Sequence, residues 1–102
     1  MHPVPKAVIV IDPPRRQWVR TLPCTICELT GAKQTSPTEC AHVVTRRHGD
    51  HENLVPLCAE HHRTGPAAWH NGSQTFQMTY GVVLRDVARR LHARYDKEQN
   101  WT

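Results

Sequence analysis

The sequence predicts a small α+β domain stapled by a metal ion, and three observations carry that expectation. The chain has 102 residues, 38% hydrophobic and only 6% aromatic, so it can build one core, and a thin one of the kind that usually needs a staple. Two metal-ligand pairs, Cys24-x2-Cys27 and Cys58-x2-His61, are available to provide it. Short β-branched runs alternate with helix-patterned segments around a polar turn, which is the pattern of mixed strands and helices.

Each element follows from local residues. Met1 to Lys6 carry two prolines and read as a loose arm, and Ala7 to Ile11 is a β-branched run expected to form a strand. Asp12-Pro13-Pro14 offers an N-cap with proline at the first helical position, so Arg15 to Thr21 is expected as a short basic helix. Trp18 and Val19 would face inward, and Pro23 would close the helix. From Glu28 to Thr38 the composition turns to Thr, Gly, Gln, Ser and Pro with no hydrophobic period, the mark of a surface loop. Cys40 to Thr45 and Asn53 to Leu57 are extended segments flanking the polar Arg46-to-Glu52 turn and predict a hairpin. Cys58 to Arg63 supports a helical turn or two, Gly65-Pro66 interrupts it, and Trp69 to Gly72 makes another turn. Leu84, Val87, Ala88, Leu91 and Tyr95 recur at three- and four-residue spacing, predicting an amphipathic helix over 82–98 with Arg85, Arg89, Arg90 and Arg94 on its other faces. A single domain over 1–102 is expected, with its chemistry in 24–81.

Charge and apolar content narrow the function classes. Thirteen Lys and Arg against nine Asp and Glu give +4 and a pI near 9.2, a mild lean toward polyanionic partners. The longest apolar run, Ala7 to Ile11, is far short of the roughly 20 residues a membrane-spanning helix needs. No leader pattern opens the chain, so a membrane protein or secreted precursor is not expected. An even cysteine count could mean disulfides, but Cys24-x2-Cys27 in a chain without a leader favours metal in a reducing cytoplasm. The two pairs have the spacing that lets side chains from a tight turn reach one tetrahedral ion, so Cys24, Cys27, Cys58 and His61 form a candidate Cys3His structural zinc site. Cys40 lies outside both pairs and reads as a buried small hydrophobe.

Three further residues sit inside this frame: His42 on the first predicted strand, Asn53 at the start of the second, and His62 one position past the zinc ligand His61. The segment Glu39 to Val44 together with Asn53 to Arg63 resembles the HNH, or ββα-metal, endonuclease family, particularly its small phage and prophage members with a zinc-binding rim. The resemblance spans Cys24 to about Gly81 and rests on the order His, Asn, Leu-Cys, His-His nested within the cysteine pairs. It implies a ββα-metal motif and a metal-dependent endonuclease that nicks or cuts DNA with low sequence specificity. His42 matches the family's general base, a role suited to an imidazole that is neutral near pH 7. Asn53 matches the asparagine that pins the inter-strand loop and helps orient that base. His62 matches the histidine ligand of the catalytic metal, and His70 sits where several phage relatives carry a further histidine.

The position before the base, often Asp or His in the family, is Ala41 here, so the second ligand would come from His70, Asp50, Glu39 or water. Such a site suits Mg2+ or another divalent metal such as Mn2+, Ni2+ or Zn2+. His61 stands where a fourth cysteine is frequent, a change that zinc accepts. Adjacent His61 and His62 would leave a helix on different sides, one for each metal. Arg46 and Arg47 in the turn and Arg63 beside the helix are the candidate DNA contacts, with Arg15, Arg16 and Arg20 as further ones, while His48 and His51 would face solvent or phosphate. Ala41 also motivates an alternative, a zinc-containing nucleic-acid-binding or recombination accessory module with weak or no catalysis. A third reading is a structural zinc domain that binds another protein. The expected setting is the bacterial host cytoplasm, with a phage or prophage gene and a recombination or packaging protein of phage or host as candidate partner.

Overall fold

Asp12 opens the first helix as its residues dictate: its side chain accepts a hydrogen bond from the Arg15 amide at 3.2 Å, and Pro13 and Pro14 occupy the first turn, where no intrahelical donor is needed. The computed structural model describes residues 10–45 and 48–99. In it α1 (Pro13–Arg20) is followed by α2 (Thr25–Thr30), β1 (Glu39–His42) and β2 (Leu54–Leu57). A π-helical turn (Glu60–Thr64), a 3-10 turn (Trp69–Asn71), α3 (Ser73–Tyr80) and α4 (Leu84–Gln99) complete the chain. The architecture is small α+β, four helices around a two-stranded sheet, with a buried Cys/His cluster that can hold a zinc ion.

The hairpin is the scaffold. β1 and β2 pair antiparallel with Glu39 opposite Leu57, Cys40 opposite Pro56, Ala41 opposite Val55 and His42 opposite Leu54. Strand alternation sends Ala41 into the core, fully buried, while Cys40 and His42 line an open cleft. α1 packs on the hairpin, and α4 lies against β2 with Leu84, Val87, Ala88 and Tyr95 buried and Leu91 packed beside them, the stripe its sequence spacing predicts. Ile26, Val55, Leu57 and Phe76 fill the space between.

Three expectations are corrected. Of the strand expected over Ala7 to Ile11, residues 7–9 lie outside the described residues, and Val10 and Ile11 are not in a strand. Their side chains are exposed, and the Val10 carbonyl accepts a single bond from the Asp50 amide at 3.0 Å rather than joining a ladder. Gly49 permits that approach: its φ is +81°, and a Cβ there would stand 3.0 Å from the Val10 carbonyl oxygen. The loop expected from Glu28 begins later, because α2 continues to Thr30 and stops at left-handed Gly31. α3 carries no helix signal in its polar, Thr-containing sequence, which has little apolar period, and the buried Phe76 is what anchors it.

Candidate functional site

Cys24 caps α2, Cys27 lies one turn on, Cys58 follows β2, and His61 projects from the π-helical turn. Their ligand atoms all lie within 4.8 Å of one another, and all four residues are buried. Cys27 Sγ is 3.8 Å from Cys58 Sγ and 3.6 Å from His61 Nδ1, and Cys24 Sγ is also 3.6 Å from that nitrogen. Zinc bonds of about 2.3 Å to sulfur and about 2.0–2.1 Å to nitrogen require tetrahedral edges of roughly 3.6–3.8 Å. Cys58 Sγ, at 3.2 Å from the same nitrogen, is slightly inside that edge. Burial and the neighbouring Cys24 and Cys58 push the Cys27 thiol up to about 12, an arrangement of donors that only a cation relieves. The residues fit zinc.

The turn carrying Cys24 is secured by a residue with no motif around it. Gln34 accepts from the Cys24 amide at 2.8 Å and donates to the Ser36 carbonyl and the Thr38 hydroxyl. Ser36 in turn accepts from the Ala59 amide at 2.9 Å, so one loop braces both ligand turns.

On the other side of His61, the next residue enters a different environment. His62 lines a cleft of about 480 Å³ together with Cys40, His42, Trp69, His70 and Ser73. The His62 and His70 rings are edge-on at 4.5 Å. Glu39 lies 2.8 Å from His62 Nδ1 and takes a two-pronged pair with Arg63 at 2.8 and 3.0 Å. Arg63 first, and His62 with it, hold the Glu39 carboxyl down at about 2 against the opposing push of burial. A carboxylate on one imidazole nitrogen leaves the other as the ligand atom, the usual arrangement behind a metal-binding histidine. Packing against the cleft wall, then the charges of His62 and Arg63, lower the pKa of His70, which favours its neutral, ligating form.

His42 is held from three directions. Its carbonyl accepts from Trp69 Nε1 at 3.0 Å, the next amide donates to the Asn53 carbonyl at 3.0 Å, and its Nε2 lies 3.2 Å from Asp50 Oδ1. Asn53 is fully buried. Its side chain accepts from the Val44 amide at 2.7 Å and donates to the Thr45 and Gly49 carbonyls at 3.0 and 2.7 Å, tying both ends of the inter-strand loop together.

A model of the family described as "Recombination enhancement, RecA-dependent nuclease" matches residues 12–101. The chain belongs to this family. No curated protein and no solved structure gives a significant match. RecA-dependent nucleases hydrolyse phosphodiester bonds, so nucleic acid is the substrate class of the chain. Among the described residues no helix is long and apolar enough to cross a membrane.

Within this member of the family, the sequence candidates fall into three groups. Cys24, Cys27, Cys58 and His61 come together in one cluster, and His42, His62 and His70 line one cleft with Asn53 behind it. Arg46 and Arg47 lie outside the described residues, and Arg63 is exposed but paired with Glu39. Arg15 and Arg16 are not available to phosphates. Arg15 is buried between Asp12, Asp96 and the Tyr95 ring, and Arg16 forks onto Asp50. Asp50 is no spare metal ligand, because its carboxylate is buried and fully engaged. Cys40 is only partly buried and donates to the Arg16 carbonyl at the cleft edge. His48 and His51 are exposed. The pairings of Glu39 with His62 and of Asp50 with Arg16 join residues 23 and 34 positions apart, and no local sequence signal announces them.

Proposed function

We propose that the chain is an HNH-type, metal-dependent endonuclease that nicks or cuts DNA with low intrinsic sequence specificity, its action tied to RecA. The observation that carries this reading is the convergence of His42, His62 and His70 on one cleft while Asn53 ties the loop behind His42. In this reading 1–102 is one domain, with the zinc and HNH core over 24–81 and the C-terminal helix after it; residues 1–6, expected from sequence as a loose arm, lie outside the described residues. Cys24, Cys27, Cys58 and His61 hold a structural zinc ion, and His62 and His70 hold the catalytic metal. A divalent metal there, Mg2+ or another such as Mn2+, Ni2+ or Zn2+, neutralises charge on the phosphate oxygens when bound.

The protein side chains do the rest. The ring nitrogen of His42 that is not engaged by Asp50 takes the proton of the attacking water. Glu39 fixes the ring of His62, and Trp69 fixes the main chain of His42. Arg46 and Arg47, in the sequence between the two strands, and Arg63 contact phosphates, which gives affinity without base reading. The proposed setting is the bacterial host cytoplasm, with a phage or prophage gene, and RecA fills the place of the recombination partner.

The test is cleavage of supercoiled plasmid by the zinc-loaded protein with Mg2+, Mn2+ or Ni2+, with and without RecA, beside His42→Ala from an identical preparation. The wild type is expected to nick or linearise and His42→Ala to lose at least about 100-fold, the scale of general-base catalysis. Equal activity of the two proteins would refute the reading. A second reading, a recombination accessory module with weak or no catalysis, has a specific observation behind it: residue 41 faces the core, so the strand supplies no metal ligand beside His42. Plasmid binding without cleavage under any metal would favour it.

A further inference from the structure

Four polar groups around Asp50 fill the roughly four acceptor sites of a carboxylate, and three of them can only donate, which constrains the proton on the fourth, His42. Asp50 is 1% exposed. Its Oδ2 accepts from Arg16 Nε at 2.7 Å and from the Asp12 amide at 2.7 Å. Its Oδ1 accepts from the second arm of Arg16 at 2.9 Å and faces His42 Nε2 at 3.2 Å. Burial alone would push the Asp50 carboxyl up, but Arg16, the Asp12 amide and His42 more than offset it, and the group is held below its ordinary value. It is therefore ionised at neutral pH and can only accept. His42 Nε2 must then donate, which leaves Nδ1 as the free acceptor of the neutral ring.

We propose that Asp50, clamped by Arg16 and the Asp12 amide, is the positioning residue that keeps His42 in its Nε2–H tautomer with Nδ1 free to accept a proton. Arg16 and Asp12 belong to α1 and its cap, outside the segment 39–63 that carries the nuclease resemblance. The helix preceding the ββα unit thus orients the base. Cys40 borders the same site, with its thiol turned to the Arg16 carbonyl at 3.2 Å, so it does not compete for His42. This role rests on the reading of His42 as the general base.

Asparagine at position 50 makes the consequence specific. Oδ2 faces two fixed donors at 2.7 Å and Oδ1 only one, the second arm of Arg16, so the amide oxygen takes the Oδ2 place and the amide nitrogen takes the Oδ1 place, giving up that one Arg16 bond. That nitrogen donates toward His42 Nε2, and the ring must flip to the Nδ1–H tautomer, which has no lone pair left where it is needed. In a serine protease triad the same change, wrong tautomer with geometry kept, costs about 10⁴-fold in kcat.

Two measurements test this on the zinc-loaded full chain. Long-range ¹H–¹⁵N spectra of ¹⁵N-histidine-labelled protein above pH 7.5, with His42 assigned by signal loss in His42→Ala, are expected to show Nε2–H. Asp50→Asn is expected to lower kcat on plasmid by about 10²- to 10⁴-fold with KM unchanged, and to show Nδ1–H at His42. An Nδ1–H signal in the wild type overturns the proposal, and because that measurement needs no variant at position 50 it decides even if Asp50→Asn does not fold. Folded Asp50→Asn cleaving within threefold of wild type also overturns it. When wild type cleaves, His42→Ala does not, and Asp50→Asn does, the nuclease reading stands and the positioning role alone fails. When His42→Ala cleaves like wild type, both fall.

Discussion

Replacing Asn53 by aspartate should damage the protein at least as much as replacing it by alanine, although aspartate is the closer match in shape. Asn53 is fully buried and makes one bond as acceptor and two as donor, at 2.7, 3.0 and 2.7 Å. Alanine loses three bonds worth about 0.5–1.5 kcal/mol each, so a cost of about 2–4 kcal/mol follows, a large share of a small domain's stability. Aspartate keeps the bond from the Val44 amide but turns a carboxylate oxygen toward the Thr45 and Gly49 carbonyls, where nothing can donate. Two carbonyl oxygens facing the buried charge of residue 53 cost at least as much as two bonds lost. Urea unfolding of zinc-loaded wild type, Asn53→Ala and Asn53→Asp at pH 7 measures both. Protonation lets the acid donate to one carbonyl, so Asn53→Asp should regain stability relative to Asn53→Ala between pH 7 and pH 5. Wild-type stability of Asn53→Asp at pH 7 would refute the assignment of the amide as the double donor that ties the loop.

Two other outcomes follow from the same contacts. Cys58→Ser should lose bound zinc and its cooperative melt, because structural zinc contributes about 10–16 kcal/mol to the folding of small zinc peptides; a wild-type melt with no zinc detected by mass spectrometry would refute the metal centre. Asp50 has a depressed folded pKa, so its contribution is complete above the unfolded value of about 3.9 and is lost as pH falls through the lower folded value. Wild type should therefore lose stability below about pH 4 more steeply than Asp50→Asn, acid release of zinc being common to both, and parallel pH profiles of the melting temperature would refute this.

Local signals proved readable where a residue acts on its immediate neighbours. Asp12-Pro13-Pro14 starts α1 where the cap and the prolines require it, and the spacing of Leu84, Val87, Ala88 and Leu91 describes the buried face of α4. The paired spacing of Cys24 with Cys27 and of Cys58 with His61 marks one cluster for the same reason, since each pair sits on one turn. Contacts between distant residues left no such trace. Arg15 and Arg16 look like a basic surface until Asp96 and Asp50 are brought to them by the packing of α4 and the loop. Gln34 sits in a stretch without period and still holds the Cys24 turn. Ala41 looked like a missing ligand, whereas strand alternation makes position 41 a core position.

His61 and His62 share a peptide bond, one side chain in the cysteine cluster and the other in the cleft. Damage to the cluster therefore travels one residue. Peroxide that carries the three thiols up the oxidation ladder would eject the ion and release the turn that aims His62. Under the proposed function, an oxidised population would still contain every residue of the cleft yet cut no DNA, and thioredoxin would restore it while the lesion remained reversible. The integrity of the three thiols and the aim of His62 would then be one property, joined through a single peptide bond.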